Sequence, residues 1–277
     1  MDKTTDQKMR QKDQPRPSEV TARGPSSILG NPRVLVLGAT SAIAAEIARI
    51  YARQGAALFL VGRDSAKLGP LAAELGSCVR GTRAVDLNDT AGADSLVAAA
   101  WDALGGGIDV ACIAHGLLGD QGVAERNVAH AELLLRTNFV SVVAHLIPLA
   151  NRLVEQRAGH IVVLSSVAGD RGRPRNYTYG AAKGGLNVYL QGLRTRLWPA
   201  GVRVHTIKLG PVDTPMTATH RKHVLFARPA NVAARIVAVA RSGGGAAYVP
   251  WFWRLILFVV RNLPERIMQR LGFLSKR

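Results

Sequence analysis

The run Arg33-Val34-Leu35-Val36-Leu37-Gly38-Ala39-Thr40-Ser41-Ala42-Ile43-Ala44 narrows the folds open to this chain. A short apolar strand enters a turn of small residues and then a helical stretch over 45–54. Free N–H groups at the start of such a helix, together with its dipole, favour an anion, so strand, turn and helix form a phosphate cradle. Gly38 opens the turn, and Ala42 and Ala44 follow it. Alanine is small, but its methyl group costs some closeness to a phosphate. An ordinary strand-turn-helix shares the pattern.

More apolar runs follow. Residues 57–61 read as a second buried strand, ending at Gly62-Arg63-Asp64. An acidic residue at that strand end would bind a ribose 2′-hydroxyl. Gly62 stands there instead, and Arg63 can meet a 2′-phosphate, which predicts NADP(H) over NAD(H). Asp64 caps a helix over Ser65–Leu75. Val85-Asp86-Leu87-Asn88 reads as a third strand end or as a helix cap. An Ala-rich helix over 90–104 is broken by Gly105-Gly106-Gly107, and 108–114 form the fourth strand, followed by His115-Gly116. His115 suits a structural role in a loop, or a proton carrier. A helix over 132–157 holds Asn138, an unfavourable mid-helix residue, and Pro148, which starts a second piece or marks a bend. Strands over 161–164, 202–208 and 246–249 and a helix over 231–241 complete the pattern, with His205 a packed strand residue.

The chemistry concentrates between Ser165-Ser166-Val167-Ala168-Gly169 and Tyr179-Gly180-Ala181-Ala182-Lys183. Tyr179 and Lys183 are four residues apart and share a helix face. Ser166 ends a strand, from which a loop can fold it over that face. A phenol titrates near pH ~10, and an adjacent ammonium favours its phenolate. The three groups suit proton transfer at an oxygen while a hydride moves at its carbon. The small residues 180–182 would let a flat cofactor approach the helix. Leu186, Leu190, Leu193 and Leu197 form an apolar face for the core or for a second subunit.

These segments, in this order, resemble the short-chain dehydrogenase/reductase family over most of 31–250. The resemblance implies an α/β fold, a Rossmann-type doubly wound parallel sheet with helices on both faces. It implies ketone–alcohol interconversion with a nicotinamide cofactor. Tyr179 would be the acid in reduction, Lys183 would lower its pKa and hold the nicotinamide ribose, Ser166 would orient the carbonyl, and Asn138 would anchor a relay water. Cofactor contacts would come from Gly38, Thr40, Ser41, Ala42, Ile43, Arg63, Asp86, Leu87, Ala114, Gly116, Tyr179, Lys183, Val212 and Thr214. A homodimer or homotetramer is implied, and no metal. Residues 116–120, the basic segment 171–176 and the Trp-rich basic tail are most similar to decaprenylphosphoryl-2-keto-erythro-pentose reductases, which reduce a lipid-linked keto-sugar. Alternatives are reduction of another apolar ketone, 3-ketoacyl or sphingoid in type, and a non-catalytic NADP-binding regulator.

Composition bounds the partners. The 277 residues carry a formal net charge of +17, and aromatic residues make up only 5%. Scarce aromatics disfavour base-stacking platforms, so the charge points to an anionic substrate or membrane surface and not to nucleic acid. Residues 1–30 read as a disordered polar tail, and Arg221, Lys222 and Arg228 as cations of a substrate lid. The apolar run 251–261 is too short to span a bilayer and is interrupted by Arg254, but residues 251–277 suit an amphipathic extension at a membrane surface, or one that closes the pocket. Two isolated cysteines and a polar N-terminus predict a cytoplasmic protein, peripheral at the inner membrane face.

Overall fold

The computed structural model describes residues 30–219 and 222–270. Seven parallel strands form one sheet in the order β3-β2-β1-β4-β5-β6-β7. They are β1 Arg33–Leu37, β2 Ala57–Gly62, β3 Val79–Ala84, β4 Val110–Ile113, β5 Gly159–Ser166, β6 Val202–Leu209 and β7 Gly245–Val249. The helices are α1 Ala42–Arg53, α2 Ser65–Leu75, α3 Ala93–Ala103, the short α4 Gln121–Ala124, α5 Val128–Leu135, α6 Ser141–Gln156, α7 Tyr177–Leu197, α8 Pro229–Ala240, α9 Trp253–Asn262 and α10 Glu265–Arg270.

The central strands read as unbroken apolar runs because both sheet faces are covered. Val34 and Val36 of β1 point into the layer shared with α1, α2 and α8. Leu35 and Leu37 point into the layer shared with α3, α6 and α7. This is the two-residue side-chain period of a strand. Leu186, Leu190, Leu193 and Leu197 are all buried in the second layer, so the α7 face serves the core and not a partner.

Two elements differ from the sequence reading. β3 begins at Val79 and ends before Val85, and only its neighbour β2 pairs with it. Most of its side chains are exposed, so it lacks the apolar run that marks the inner strands. The helix around Asn138 begins at Val128, and its irregularity is a π-helical turn over Arg136–Val140. Pro148 lies inside α6 and starts no new piece.

A histidine pair crosses the β5–β6 interface. His160 Nδ1 and His205 Nε2 are 3.1 Å apart, with the rings stacked. Burial, with His160, Arg194 and Arg203 nearby, pushes the His205 pKa down to about 3. The unfolded chain binds that proton near pH ~6.5, so the neutral ring's contribution is complete above this value and is lost as pH falls towards 3. Each pH unit in that window removes about 1.4 kcal/mol. Denaturant titration should therefore show His205→Gln with a shallower acid loss of stability than wild type. Equal slopes below pH 6 would refute this.

Candidate active site

The carboxyl ends of β5 and β6 and the first turns of α7 enclose one cavity of about 810 Å³. Ile43, Ser166, Tyr179, Val212 and Thr214 line it, as do Arg173, Arg175, His223 and Trp253. A 3-10 turn, Val167–Asp170, follows Ser166 and rests directly on the α7 backbone. A Cβ on Gly169 would lie 2.6 Å from the Lys183 carbonyl carbon, and one on Gly180 would lie 2.9 Å from the Ala168 oxygen. Gly180 of α7 thus admits this turn. The close approach brings Ser166 and Tyr179 to the wall of the same cavity, where the serine hydroxyl accepts from Ala168 N–H at 3.1 Å.

Lys183 is buried, and its Nζ donates to the Leu164 carbonyl at 3.1 Å. It lies 5.8 Å from the Tyr179 ring centroid. Burial raises the phenol to about 12, with the Ser166 hydrogen bond and Arg173 opposing. Burial lowers Lys183 to about 8. The expected acidification of Tyr179 by Lys183 is therefore not what this site shows. Desolvation of the phenol dominates, and the ammonium donates to a backbone carbonyl instead.

Asn138 is fully buried in the π-helical turn. Its Nδ2 donates to the Leu117 and Leu134 carbonyls at 2.7 and 2.9 Å, and its Oδ1 accepts from Leu117 N–H at 3.1 Å. The π-turn gives that mid-helix amide its partners, and the amide clamps the loop after β4. A Cβ on Gly116 would approach Asn138 Oδ1 to 2.8 Å and Lys183 Nζ to 3.6 Å, so this glycine holds the two groups together. His115 is structural: its Nε2 meets Ser141 Oγ at 2.9 Å.

The remaining predicted cofactor residues gather at the same sheet end. Gly38 has a left-handed φ of 81°, and a Cβ there would strike the His115 backbone. Ser41 caps α1 by accepting from Ala44 N–H, which leaves the N–H groups of Ala42 and Ile43 without a partner among the described residues. That is the cradle a diphosphate requires. Thr40 packs on Gly62, Arg63 is exposed beside it, and Asp64 is turned away to cap α2. Asp86 accepts from Asn88 N–H, Leu87 is buried, and Ala114 N–H donates to Leu37. Thr217 already occupies the Val212 carbonyl at 2.6 Å, but the Val212 N–H has no partner among the described residues. The residues present fit a dinucleotide laid from α1 to Tyr179.

Of the expected lid cations, neither Lys222 nor Arg228 lines the cavity. Lys222 pairs with Asp213 at 2.7 Å, Arg228 stands at the start of α8, and Arg221 lies outside the described residues. Arg171 pairs with Glu265 of α10 at 2.7 Å. Sequence reasoning missed Trp253, which reaches the cavity only because α9 folds back over Val167. It also missed a buried network beneath Ser166. Asp170 accepts from Lys208 Nζ and from the Tyr248 hydroxyl, and Asn187 links it to Ser165.

The doubly wound sheet, the open helix N-terminus and the Ser–Tyr–Lys cluster define a dinucleotide-dependent oxidoreductase. Comparison with known proteins gives the same class. The model of the family described as short chain dehydrogenase matches residues 32–225. An "uncharacterized oxidoreductase" of Mycobacterium tuberculosis is 36% identical over 241 residues, covering 86% of this chain and 96% of its own. Another, from Streptomyces coelicolor, is 35% identical over 250 residues, covering 89% and 99%. A short chain dehydrogenase of Burkholderia cenocepacia, solved with NADP, superposes with a TM-score of 0.76 at 18% identity, covering 87% of this chain and 98% of its own. This protein belongs to the short chain dehydrogenase family and is an oxidoreductase of alcohol and keto groups.

Proposed function

We propose that the protein reduces a ketone on a lipid-linked keto-sugar, with NADPH as its reductant. The observation that carries this reading is a basic cavity, free of carboxylates among its lining residues, beneath a helix whose outer face is apolar and exposed. When bound, the nicotinamide supplies the hydride. Tyr179 donates its hydroxyl proton to the carbonyl oxygen, and Ser166 donates a hydrogen bond to the same oxygen. Lys183, held by the Leu164 carbonyl, keeps a buried ammonium one turn below Tyr179, where it would meet the nicotinamide ribose. Asn138 fixes the loop carrying Gly116 and so the space between amide and lysine. Arg63, with no acidic residue aimed at the 2′ position, supports NADPH over NADH.

The extension supports a peripheral contact with an anionic membrane. α9 buries Trp253 and Leu257 against the domain. It exposes Leu255, Phe258 and Val259, and Trp251 just before it is 67% exposed. Arg254, Arg261 and Arg266 flank this apolar surface. Apolar side chains among arginines suit a helix lying in a lipid interface. The division into a catalytic unit over 31–250 and a docking extension over 251–277 belongs to this reading.

One assay tests it: NADPH oxidation with a polyprenyl-phosphate keto-sugar in anionic vesicles, against a 3-ketoacyl thioester, each repeated with NADH. Turnover confined to the keto-sugar and faster with NADPH is expected. Preference for the thioester would replace the substrate assignment, and no turnover with any ketone would favour a cofactor-binding regulator.

A further inference from the structure

Helix α7 carries Tyr179 and Lys183, yet it is not capped by the residue before it. Asn176 makes no capping hydrogen bond with its side chain among the described residues. The first N–H groups of a helix have no partner within it and must find one elsewhere. Gln121 supplies one from 57 residues away: its Oε1 accepts from Thr178 N–H at 2.9 Å, and its Nε2 donates to Thr178 Oγ1 at 3.2 Å. Both ends of one amide thus close on the residue next to Tyr179. Gln121 is itself held. It opens α4, which Asp120 caps by accepting from Val123 N–H at 3.2 Å. Upstream, Asn138 grips both backbone groups of Leu117. Between these ties Gly119 has a left-handed φ of 65°, and a Cβ there would strike Leu134 of α5. Leu118, Gly119 and Gln121 line the same cavity as Ser166 and Tyr179. Residues 117–121 are therefore one wall of that cavity, fastened at Leu117 to the π-helical turn and at Gln121 to α7.

We propose that Gln121 is a positioning residue for Tyr179: its amide fixes the first turn of α7 against the 117–121 wall and so sets where the phenol stands beside a bound ketone. The inference rests on the reading of Tyr179 as proton donor and adds the group that aims it. A cap from Asn176 would satisfy the same backbone N–H, but it would leave α7 free to shift relative to the wall. A cap borrowed from the wall makes helix and wall move together. Proton transfer depends steeply on the placement of the donor, and a misplacement of about 1 Å costs up to roughly 10²-fold in rate.

The test compares Gln121→Leu, Gln121→Glu and Thr178→Val in the full chain. Amide hydrogen exchange reads the tie without any substrate. In Gln121→Leu the amides of Thr178, Tyr179 and Gly180 should exchange roughly two- to thirtyfold faster, the worth of a lost cap, with the inner strands unchanged. Gln121→Glu should protect them as wild type does, since a carboxylate accepts from both Thr178 N–H and Thr178 Oγ1 and suits a helix N-terminus. Thr178→Val keeps the backbone bond and should stay within about threefold of wild type. Turnover reads the consequence, with NADPH and whichever of the polyprenyl-phosphate keto-sugar and the 3-ketoacyl thioester wild type reduces. Gln121→Leu should lower kcat roughly ten- to a hundredfold, with KM for the ketone within about threefold, and Gln121→Glu should recover most of the loss. Added to Tyr179→Phe, Gln121→Leu should cost less than about threefold more, because no phenol is left to aim.

Unchanged exchange at residues 178–180 in Gln121→Leu overturns the proposal. So does a loss carried by KM alone, which would make Gln121 a substrate contact, and so does a loss that multiplies in full upon Tyr179→Phe, which would make it a general support of the fold. The two readings fail in different ways. If Tyr179→Phe keeps the wild-type rate, the donor reading fails and takes the positioning role with it. If Tyr179→Phe loses its activity as expected and Gln121→Leu does not, the donor reading stands and the positioning role alone fails.

Discussion

Replacing Tyr179 with Phe is expected to lower the rate of ketone reduction by roughly 10²–10⁴-fold, the usual worth of a positioned general acid. The ring keeps its place against Ser166 and the first turn of α7, and only the hydroxyl is lost. Because burial holds that phenol near 12, it is protonated throughout the neutral range and is a ready donor. The loss should therefore be nearly independent of pH between 6 and about 7, below the Lys183 value of about 8, so that this lysine also retains its proton. NADPH affinity, measured by fluorescence titration, should change by less than about threefold, since a single neutral hydrogen bond is worth little more. A variant that keeps a tenth of the wild-type rate would remove Tyr179 from the proton-donor role.

Asp170→Ala should destabilise the fold by about 3–5 kcal/mol, the cost of leaving a buried partner charge uncompensated. The Asp170 side chain is only 4% exposed and Lys208 only 11%, so water cannot easily replace the lost carboxylate. The same substitution frees the Tyr248 hydroxyl, which Asp170 now accepts from at 2.6 Å. Asp170 also ends the 3-10 turn that carries the chain from Ser166 over α7. Activity should therefore fall along with stability. The double change Asp170→Asn with Lys208→Met, which removes the charge pair together, should recover much of the loss. Chemical denaturation measures both. A single substitution costing under about 1 kcal/mol would show that the pair is solvated and contributes as a surface pair does.

The sequence alone was sufficient for the class of fold. Inner strands carry apolar runs on both faces, so β1, β2, β4, β5 and β6 could be read from hydrophobicity. Lys183 lies one helical turn beyond Tyr179, and Asp64 stands at the cap position of α2, where it indeed accepts from Ala66 and Lys67. Such features depend on neighbours within a few residues, and local periodicity encodes them. The end of the edge strand β3 was read at Val85, next to its last residue Ala84, but its body was not, because solvent replaces the neighbour that would have demanded apolar side chains.

Tertiary structure decided everything that depends on residues far apart in the chain. Whether the leucines of α7 face the core or a partner rested on how the sheet packs, and they face the core. Whether Lys183 acidifies Tyr179 rested on where its ammonium points, and it points to Leu164. Trp253 stands 74 residues after Tyr179, yet it lines the same cavity because α9 turns back over Val167. Sequence periodicity reports which face of an element is apolar. It does not report desolvation or the approach of distant backbones, and those two quantities set the protonation and the shape of this site.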